Sequence, residues 1–131
     1  MILENDVVDA VCVHLIAQGY QVAHCHAHER GHDIDATHPK KKRLLIEAKG
    51  EGSSKPTSKR YGHAFNRNQV NDHVGRAILR ALHYRAQSIA AGIALPDNPD
   101  HRREVDPISP LLKKIGISVF FVDAKLLVKE L

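Results

Sequence analysis

The chain has few residues of the kinds that mark secreted or membrane proteins. Its 131 residues include two cysteines, Cys12 and Cys25, too few for a disulfide framework, which predicts a reducing compartment such as the cytoplasm. No apolar run approaches the ~20 residues of a membrane span, so no membrane partner is expected. The first ten residues carry acids and no basic segment, which predicts that a secretory signal is absent. We expect one domain over residues 1–131, large enough for a core of its own.

Positive charge is in modest excess, with a formal net charge of +4. This balance is compatible with a polyanionic partner but does not identify one by itself. Basic side chains are concentrated in the segment before a predicted long helix and along that helix. We expect this set to contact nucleic-acid phosphates: Lys55, Lys59, Arg60, Arg67, His73, Arg76 and Arg80.

The segment from Gly31 to Gly50 is the most informative part of the chain. It predicts two short strands joined by a turn, in which successive side chains alternate between the two faces of a sheet. Asp33 then shares a face with Asp35, and Glu47 shares one with Lys49. The opposite face is apolar and can fill a core with Ile34, Ala36, Leu44, Ile46 and Ala48. If the apolar faces align, the carboxylates and the ammonium meet in one patch, where a divalent cation is the usual compensation for desolvation.

This segment resembles the signature of the PD-(D/E)xK nuclease superfamily, the restriction-endonuclease-like fold. Asp33 matches the first acid, Glu47 the second and Lys49 the lysine, while His32 replaces the proline of the family name. Asp35 stays an alternative to Asp33 as the metal ligand. We prefer Asp33, because it follows a Gly-x turn as in family members. We expect Asp35 to form a salt bridge with Lys42 or Arg43.

The predicted first helix, over residues 3–18, gives an independent test of this resemblance. Glu4 lies in line with the apolar stripe of that helix, which contains Val7, Val8, Val11 and Leu15. One interpretation is an acid in a fraying first turn, favoured by the helix dipole. The other is an acid aimed at the metal site, as many superfamily members place a helix Glu there.

The predicted long helix, from about residue 66 to 85, carries a second polar row beside its buried stripe. Gln69, His73, Arg76 and Arg80 are spaced at i, i+4, i+7 and i+11 and therefore share one side of the helix. The row is either a phosphate-binding flank or a solvated face without a partner. Several superfamily members place a Gln on this helix close to the catalytic site, and Gln69 is the matching residue here.

Ten histidines invite a metal-site interpretation, above all the alternating His24, His26 and His28. A straight strand separates His24 from His28 by roughly 13 Å, too far for one tetrahedral ion. We therefore expect an exposed polar strand face that binds metal only adventitiously. An alternative is that His24, His26 or His32 approaches substrate phosphate.

The order of predicted elements is α-β-β-β-α-β-α-β, followed by a short C-terminal helix in AKLLVKEL at 124–131. It predicts an α/β fold with a mixed central sheet flanked by helices, the order of the restriction-endonuclease-like core. The fold and motif resemblance implies a DNA endonuclease, with roles in repair, recombination or mobile-element metabolism ahead of autonomous restriction. The resemblance also leaves a homodimer open, for which the apolar C-terminal segment offers a surface.

The chemistry implied by the resemblance is Mg²⁺-assisted hydrolysis of phosphodiester bonds, with Mn²⁺ as a substitute. Asp33, Glu47 and the carbonyl of Ala48 would hold the ion, and Glu4 would bind a second ion or its water shell. Lys49 would hold the attacking water or offset charge in the transition state. Two other classes stay open: a non-catalytic nucleic-acid-binding protein on a nuclease fold, and a small interaction module in which the patch is structural.

Overall fold

A computed structural model describes residues 1–24, 32–52 and 62–131. The chain forms a six-stranded sheet in the spatial order β1-β2-β3-β4-β5-β6. Its elements, in chain order, are α1 (Glu4–Ala17), β1 (Gln21–His24), β2 (Ile34–His38), β3 (Lys41–Ala48), α2 (Arg67–Ala86), β4 (Ala90–Pro96), α3 (Pro99–Val105), a 3₁₀ turn (Asp106–Ile108), α4 (Ser109–Lys114), β5 (Ile117–Val122) and β6 (Val128–Glu130).

The sheet is mixed, as the sequence predicts. β1, β2 and β3 pair in an antiparallel manner, β3, β4 and β5 are parallel, and β6 returns antiparallel to β5. The two parallel connections contain helices, because a parallel crossover needs a long return path. The predicted α/β architecture with a central sheet flanked by helices is therefore confirmed.

The two faces of β3 build two separate cores, and this alternation positions the site. Leu44, Ile46 and Ala48 pack on the side of α1, whereas Leu45 packs on the side of α2. The α1 core is completed by residues that include Val7, Val8, Val11, Leu15, Ile34, Phe120 and Val122. The α2 core is completed by residues that include Val70, Val74, Ala77, Ala81, Ile93, Leu95 and Phe121. Glu47, two residues after Leu45, consequently lies on the α2 side.

The predicted C-terminal helix is wrong, because residues 128–130 form strand β6. Asp123 accepts hydrogen bonds from the backbone N–H groups of Lys125 and Leu127, at 2.8 and 3.0 Å. Leu126 has φ 63°, so the chain reverses there and β6 pairs with β5. The turn and the strand pairing override the helix propensity of Ala, Lys, Leu and Glu.

Other predicted boundaries differ by about one residue, since the helices expected over residues 3–18 and about 66–85 are α1 (Glu4–Ala17) and α2 (Arg67–Ala86). β1 is described as far as His24, and residues 25–31 lie outside the described part of the chain. The last α of the predicted order is α3, the 3₁₀ turn and α4, beginning at Pro99. Among the described residues, no helix has the length and apolar character that a membrane span requires.

Candidate active site

The carboxyl end of β3 brings together the motif residues. Ile34 is in register with Ile46 and Asp35 with Leu45, so Asp33 comes next to the end of β3 that carries Glu47. The Asp33 carboxylate accepts a hydrogen bond from the backbone N–H of Ala48 at 2.8 Å. The hairpin pairing predicted from the sequence therefore places the first acid of the motif against the second.

Asp33 and Glu47 are neighbouring carboxyl groups in a half-buried position, and each shifts the pKa of the other. Burial raises the pKa of Asp33, and the Ala48 N–H and the Lys49 charge oppose that rise. Burial and the neighbouring charge of Asp33 raise the pKa of Glu47, against the positive charges of Lys49 and Arg80. Two acids in contact resist full ionisation unless a cation joins them.

Glu4 reaches the same patch from the first turn of α1. Burial raises its pKa to about 7, and the negative charges of Asp33 and Glu47 add to the rise while Lys49 opposes it. The helix start is held there because the backbone N–H of Glu51 donates to the Ile2 carbonyl at 2.7 Å. Glu4 lies in the first helical turn, yet it is only partly exposed, and the two other acids contribute to its raised pKa. Its role towards a metal ion stays a prediction.

Glu4, Asp33 and Glu47 are called the acid patch below. Of these three acids, Glu47 lines an open cleft of about 590 Å³ between β3 and α2. Glu47 and Lys49 line it, and Arg76 and Arg80 from α2 line it too. The pKa shifts of Asp33 and Glu47 both include the positive charge of Arg80. A phosphate group in this cleft would meet two guanidinium groups beside the acid patch.

Four cleft residues were missed by the sequence analysis or given no role in it: Leu79, His83, Tyr84 and Gln87. His83 and Gln87 continue the polar row of α2, because Arg76, Arg80, His83 and Gln87 repeat the i, i+4, i+7, i+11 spacing. Tyr84 continues the buried stripe by one step beyond Ala81. Extending both patterns by one turn would have found three of the four.

The N-terminal half of the same polar row has other contacts. The Gln69 side chain accepts the backbone N–H of Asn66 at 2.9 Å and completes a capping box. His73 packs edge-on against Phe65 with ring centroids 4.3 Å apart, and Arg67 is 3.9 Å from Asp100. These three residues do not line the cleft described here. Their proposed roles, and that of Gln69 in catalysis, stay predictions.

The predicted nucleic-acid contacts of Lys55, Lys59 and Arg60 lie outside the described residues, as do Cys25, His26 and His28. His32 is described and lines the cleft. Asp35 forms the predicted salt bridge with Arg43, through two contacts of 2.9 and 2.7 Å. This pairing favours Asp33 over Asp35 as the free acid of the hairpin.

The donor set fits a hard divalent ion with few protein ligands. Within 1–24, 32–52 and 62–131, no three His, Cys, Asp or Glu side chains form a ready-made metal cluster. Mg²⁺ commonly binds through one or two carboxylates and keeps several waters, so Asp33 and Glu47 as neighbours are sufficient. Burial is the first cause of the raised pKa of both carboxyls, and a divalent ion bound between them would offset that cost of ionisation.

Comparison with known proteins adds little to this geometry. No family model and no curated protein matches the chain. The solved structure of Pyrococcus furiosus SfsA in complex with Ca²⁺ is similar at a TM-score of 0.40 and 14% sequence identity, over 97% of this chain and 58% of that one. The chain thus spans less than two thirds of the SfsA chain.

Proposed function

We propose that the protein is a Mg²⁺-dependent nuclease that hydrolyses phosphodiester bonds in DNA. One observation supports the proposal above all others. Asp33, Glu47 and Glu4 converge with Lys49 at the carboxyl end of β3, beside a cleft that two arginines line. Asp35 on the same hairpin is paired with its own base, Arg43. Here three partly buried acids face one nearby lysine and Arg80.

Each residue has a distinct part in the proposed reaction. Asp33 and Glu47 would hold the ion, with the Ala48 carbonyl and water completing its shell, and Mn²⁺ would substitute for Mg²⁺. When bound, the ion makes a water more acidic and offsets charge on the phosphate oxygens. Lys49 is placed to orient that water or to offset charge on the phosphate, and Glu4 to accept a hydrogen bond from the water shell.

The arginine side of the cleft supports a nucleic-acid substrate. Arg76 and Arg80 are exposed and line the cleft together with Glu47 and Lys49. Guanidinium groups bind phosphate oxygens in a bidentate manner, and their spacing along α2 is about 6 Å at 1.5 Å per residue. Adjacent phosphates of one strand could therefore be held while a scissile phosphate lies over the acids.

A second candidate function is a nucleic-acid-binding protein that does not cut. The same cleft and its two arginines favour this function. It differs from the nuclease in the consequence of losing one carboxylate. A third function is the interaction module, in which the patch is structural. It predicts that the loss of Glu47 changes neither metal binding nor DNA binding.

The test is calorimetric titration of Mg²⁺ and Mn²⁺ into the wild type, Glu47→Ala and the control Asp35→Asn. Plasmid and branched-DNA cleavage and DNA binding are measured on the same samples. We expect Glu47→Ala to lose metal binding and cleavage while it retains DNA binding, and Asp35→Asn to keep all three. DNA binding without metal binding or cleavage in the wild type would favour the second function. A wild type that binds neither ion nor DNA would refute the nuclease and favour the interaction module.

A further inference from the structure

Glu51, three residues beyond the end of β3, joins three separate parts of the chain. Its carboxylate accepts the backbone N–H of Ile2 at 2.8 Å and the side-chain amide of Asn98 at 2.6 Å, one at each oxygen. Its backbone N–H donates to the Ile2 carbonyl at 2.7 Å, and its carbonyl accepts the N–H of Phe65 at 2.7 Å. Glu51 therefore connects the start of α1 with the loop between β4 and α3 and with the segment before α2.

The directions of these hydrogen bonds do not depend on any ionisation state. A backbone N–H only donates, so Ile2 fixes one Glu51 oxygen as its acceptor. The backbone N–H of His101 donates to Oδ1 of Asn98 at 2.9 Å, which turns the amide nitrogen of Asn98 towards Glu51. That nitrogen only donates, so the second Glu51 oxygen accepts from it whether Glu51 is ionised or neutral.

The N-terminal segment is held at two consecutive residues, and this places Glu4. Ile2 is bound to Glu51 through both of its backbone groups. The Leu3 N–H donates to the Asp6 carboxylate at 2.9 Å, and α1 begins at the next residue, Glu4. A shift of Ile2 away from Glu51 consequently moves the first turn of α1 and the Glu4 carboxyl with it.

We propose that Glu51 and Asn98 form a carboxylate–amide clamp that holds the start of α1 in place and so positions Glu4 at the proposed metal site. Both are positioning residues, because they act through Ile2 and Glu4 and contact neither the ion nor the DNA. The catalytic part of this proposal rests on the nuclease function above, whereas the clamp itself does not.

The surroundings of the clamp favour a positioning role over a purely structural one. Glu51 and Asn98 are partly exposed and line a cavity of about 270 Å³. Water can replace a hydrogen-bond partner at such a place, so the loss of one bond changes folding stability little. Partners that orient a metal ligand from behind have a larger effect on the site, since their loss typically lowers metal affinity about 10–100-fold.

The first experiment exchanges the two side chains of the clamp. Glu51→Gln offers one acceptor to two donors, and Asn98→Asp sets a carboxylate against the Glu51 carboxylate, so each variant loses one bond. In the double variant the glutamine amide donates to the aspartate, which still accepts the His101 N–H, so every bond is restored. We expect Mn²⁺ affinity in calorimetry to fall about tenfold in each single variant and to return to within about threefold of wild type in the double variant. Single variants with wild-type affinity, or a double variant as weak as the singles, would overturn the clamp.

The second experiment asks whether the clamp acts through Glu4. Glu51→Gln is combined with Glu4→Gln, and we expect no loss of Mn²⁺ affinity or kcat beyond that of Glu4→Gln alone. The same tenfold loss in both backgrounds would refute the positioning of Glu4. The matched control is Glu104→Gln, because Asn71 donates to Glu104 at 2.9 Å in another carboxylate–amide pair, between α2 and α3. This control should keep wild-type Mn²⁺ affinity, and an equal loss there would count against the clamp.

The third experiment reads the clamp in the protein without divalent ions. Amide hydrogen exchange measured by NMR should show that the Ile2 N–H exchanges more slowly in wild type and Glu104→Ala than in Glu51→Ala, which lacks its acceptor. Equal exchange of the Ile2 amide in Glu51→Ala and wild type would overturn the clamp, whatever the protein's activity. A wild type that neither binds Mn²⁺ nor cleaves DNA would refute the nuclease function instead, and the Ile2 amide would still decide the clamp.

Discussion

At the scale of single residues, Asp33 and Asp35 have different surroundings although only Ile34 separates them. Asp35 is neutralised by Arg43 on the exposed side of the hairpin, and this partner lowers its pKa. Asp33 lies against Glu47 and the Ala48 N–H, and burial raises its pKa. Strand alternation predicts that both acids share one face, but it does not determine which of them forms the salt bridge with Arg43.

The first prediction compares these two acids. Asp33→Asn should lower metal-dependent DNA cleavage by more than about 100-fold, because a neutral amide replaces an anionic ligand of the ion. Its amide oxygen can still accept the Ala48 N–H, so the fold should be kept. Asp35→Asn should change the cleavage rate less than about threefold, since exposed ion pairs contribute little. Initial rates of plasmid cleavage measure both, and equal losses in the two variants would contradict the assignment of Asp33.

The second prediction concerns the pH dependence of stability through Glu4. Its pKa is raised from 4.5 to about 7 in the folded protein, so the folded state binds the proton more tightly than the unfolded state does. The resulting stabilisation is complete below about pH 4.5 and is lost as the pH rises to about 7. In the absence of divalent ions, Glu4→Gln should therefore be more stable than wild type at pH 8, by on the order of 2 kcal/mol after allowance for partial exposure.

Urea unfolding at pH 5 and pH 8 in chelator measures this effect, with Asp72→Asn on the exposed side of α2 as the control. The difference between Glu4→Gln and wild type should grow from pH 5 to pH 8, while the control difference should stay constant. A Glu4→Gln difference that is the same at both pH values would show that Glu4 ionises as in the unfolded chain.

At the scale of elements, the two halves of α2 make different contacts. Its N-terminal turn is capped by Asn66 and Gln69, whereas Arg76 and Arg80 line the cleft together with Glu47. Helix periodicity alone predicts one continuous row, because residues at these spacings share a side. Which part of the row meets β3 depends on how the helix lies on the sheet, and that is a tertiary property.

The third prediction concerns the arginines of α2. Arg76→Ala and Arg80→Ala should each weaken DNA binding and lower the slope of log K against log salt by about one, since each removes one phosphate contact. Arg103→Ala is the matched control, because Arg103 pairs with Asp100 at 3.2 Å and does not line the cleft. Fluorescence anisotropy over a salt series measures the slopes. If the slope were unchanged in both Arg76→Ala and Arg80→Ala, the cleft would not be part of the DNA-binding surface.

Element order and the core stripes were well predicted, because they depend on local periodicity and strand alternation. The stripe of Val7, Val8, Val11 and Leu15 is buried as expected. The helix predicted for the C-terminal segment was wrong, because the turn at Asp123 and the pairing with β5 outweigh the helix propensity of its residues. The contact between Tyr84 and His32 could not be predicted from the sequence, because the two residues are 52 positions apart and meet only in the folded chain.

At the scale of the whole molecule, the acid patch exists only where the N-terminal segment crosses the end of β3. Ile2 and Glu51 hold this crossing, since the Ile2 N–H donates to the Glu51 carboxylate at 2.8 Å. Gly50 lies buried under it, and a Cβ there would be 2.7 Å from the carbonyl carbon of Leu3 and closer still to the Glu4 nitrogen. Backbone fills this space, so a side chain at residue 50 must push the start of α1 away from the sheet.

The fourth prediction follows from this crossing and couples stability to the site. Gly50→Ala should lower the free energy of unfolding by about 1–3 kcal/mol, as overpacking does, and should weaken Mn²⁺ binding because it displaces Glu4. Gly75→Ala is the matched control: nothing lies within 4 Å of its added Cβ, and alanine in an exposed helix should stabilise by about 0.5–1 kcal/mol. Urea unfolding and Mn²⁺ calorimetry on both variants measure the two effects. If Gly50→Ala unfolded like the wild type, the close crossing would be wrong; if it were destabilised yet bound Mn²⁺ normally, α1 would support the fold without contributing to the metal site.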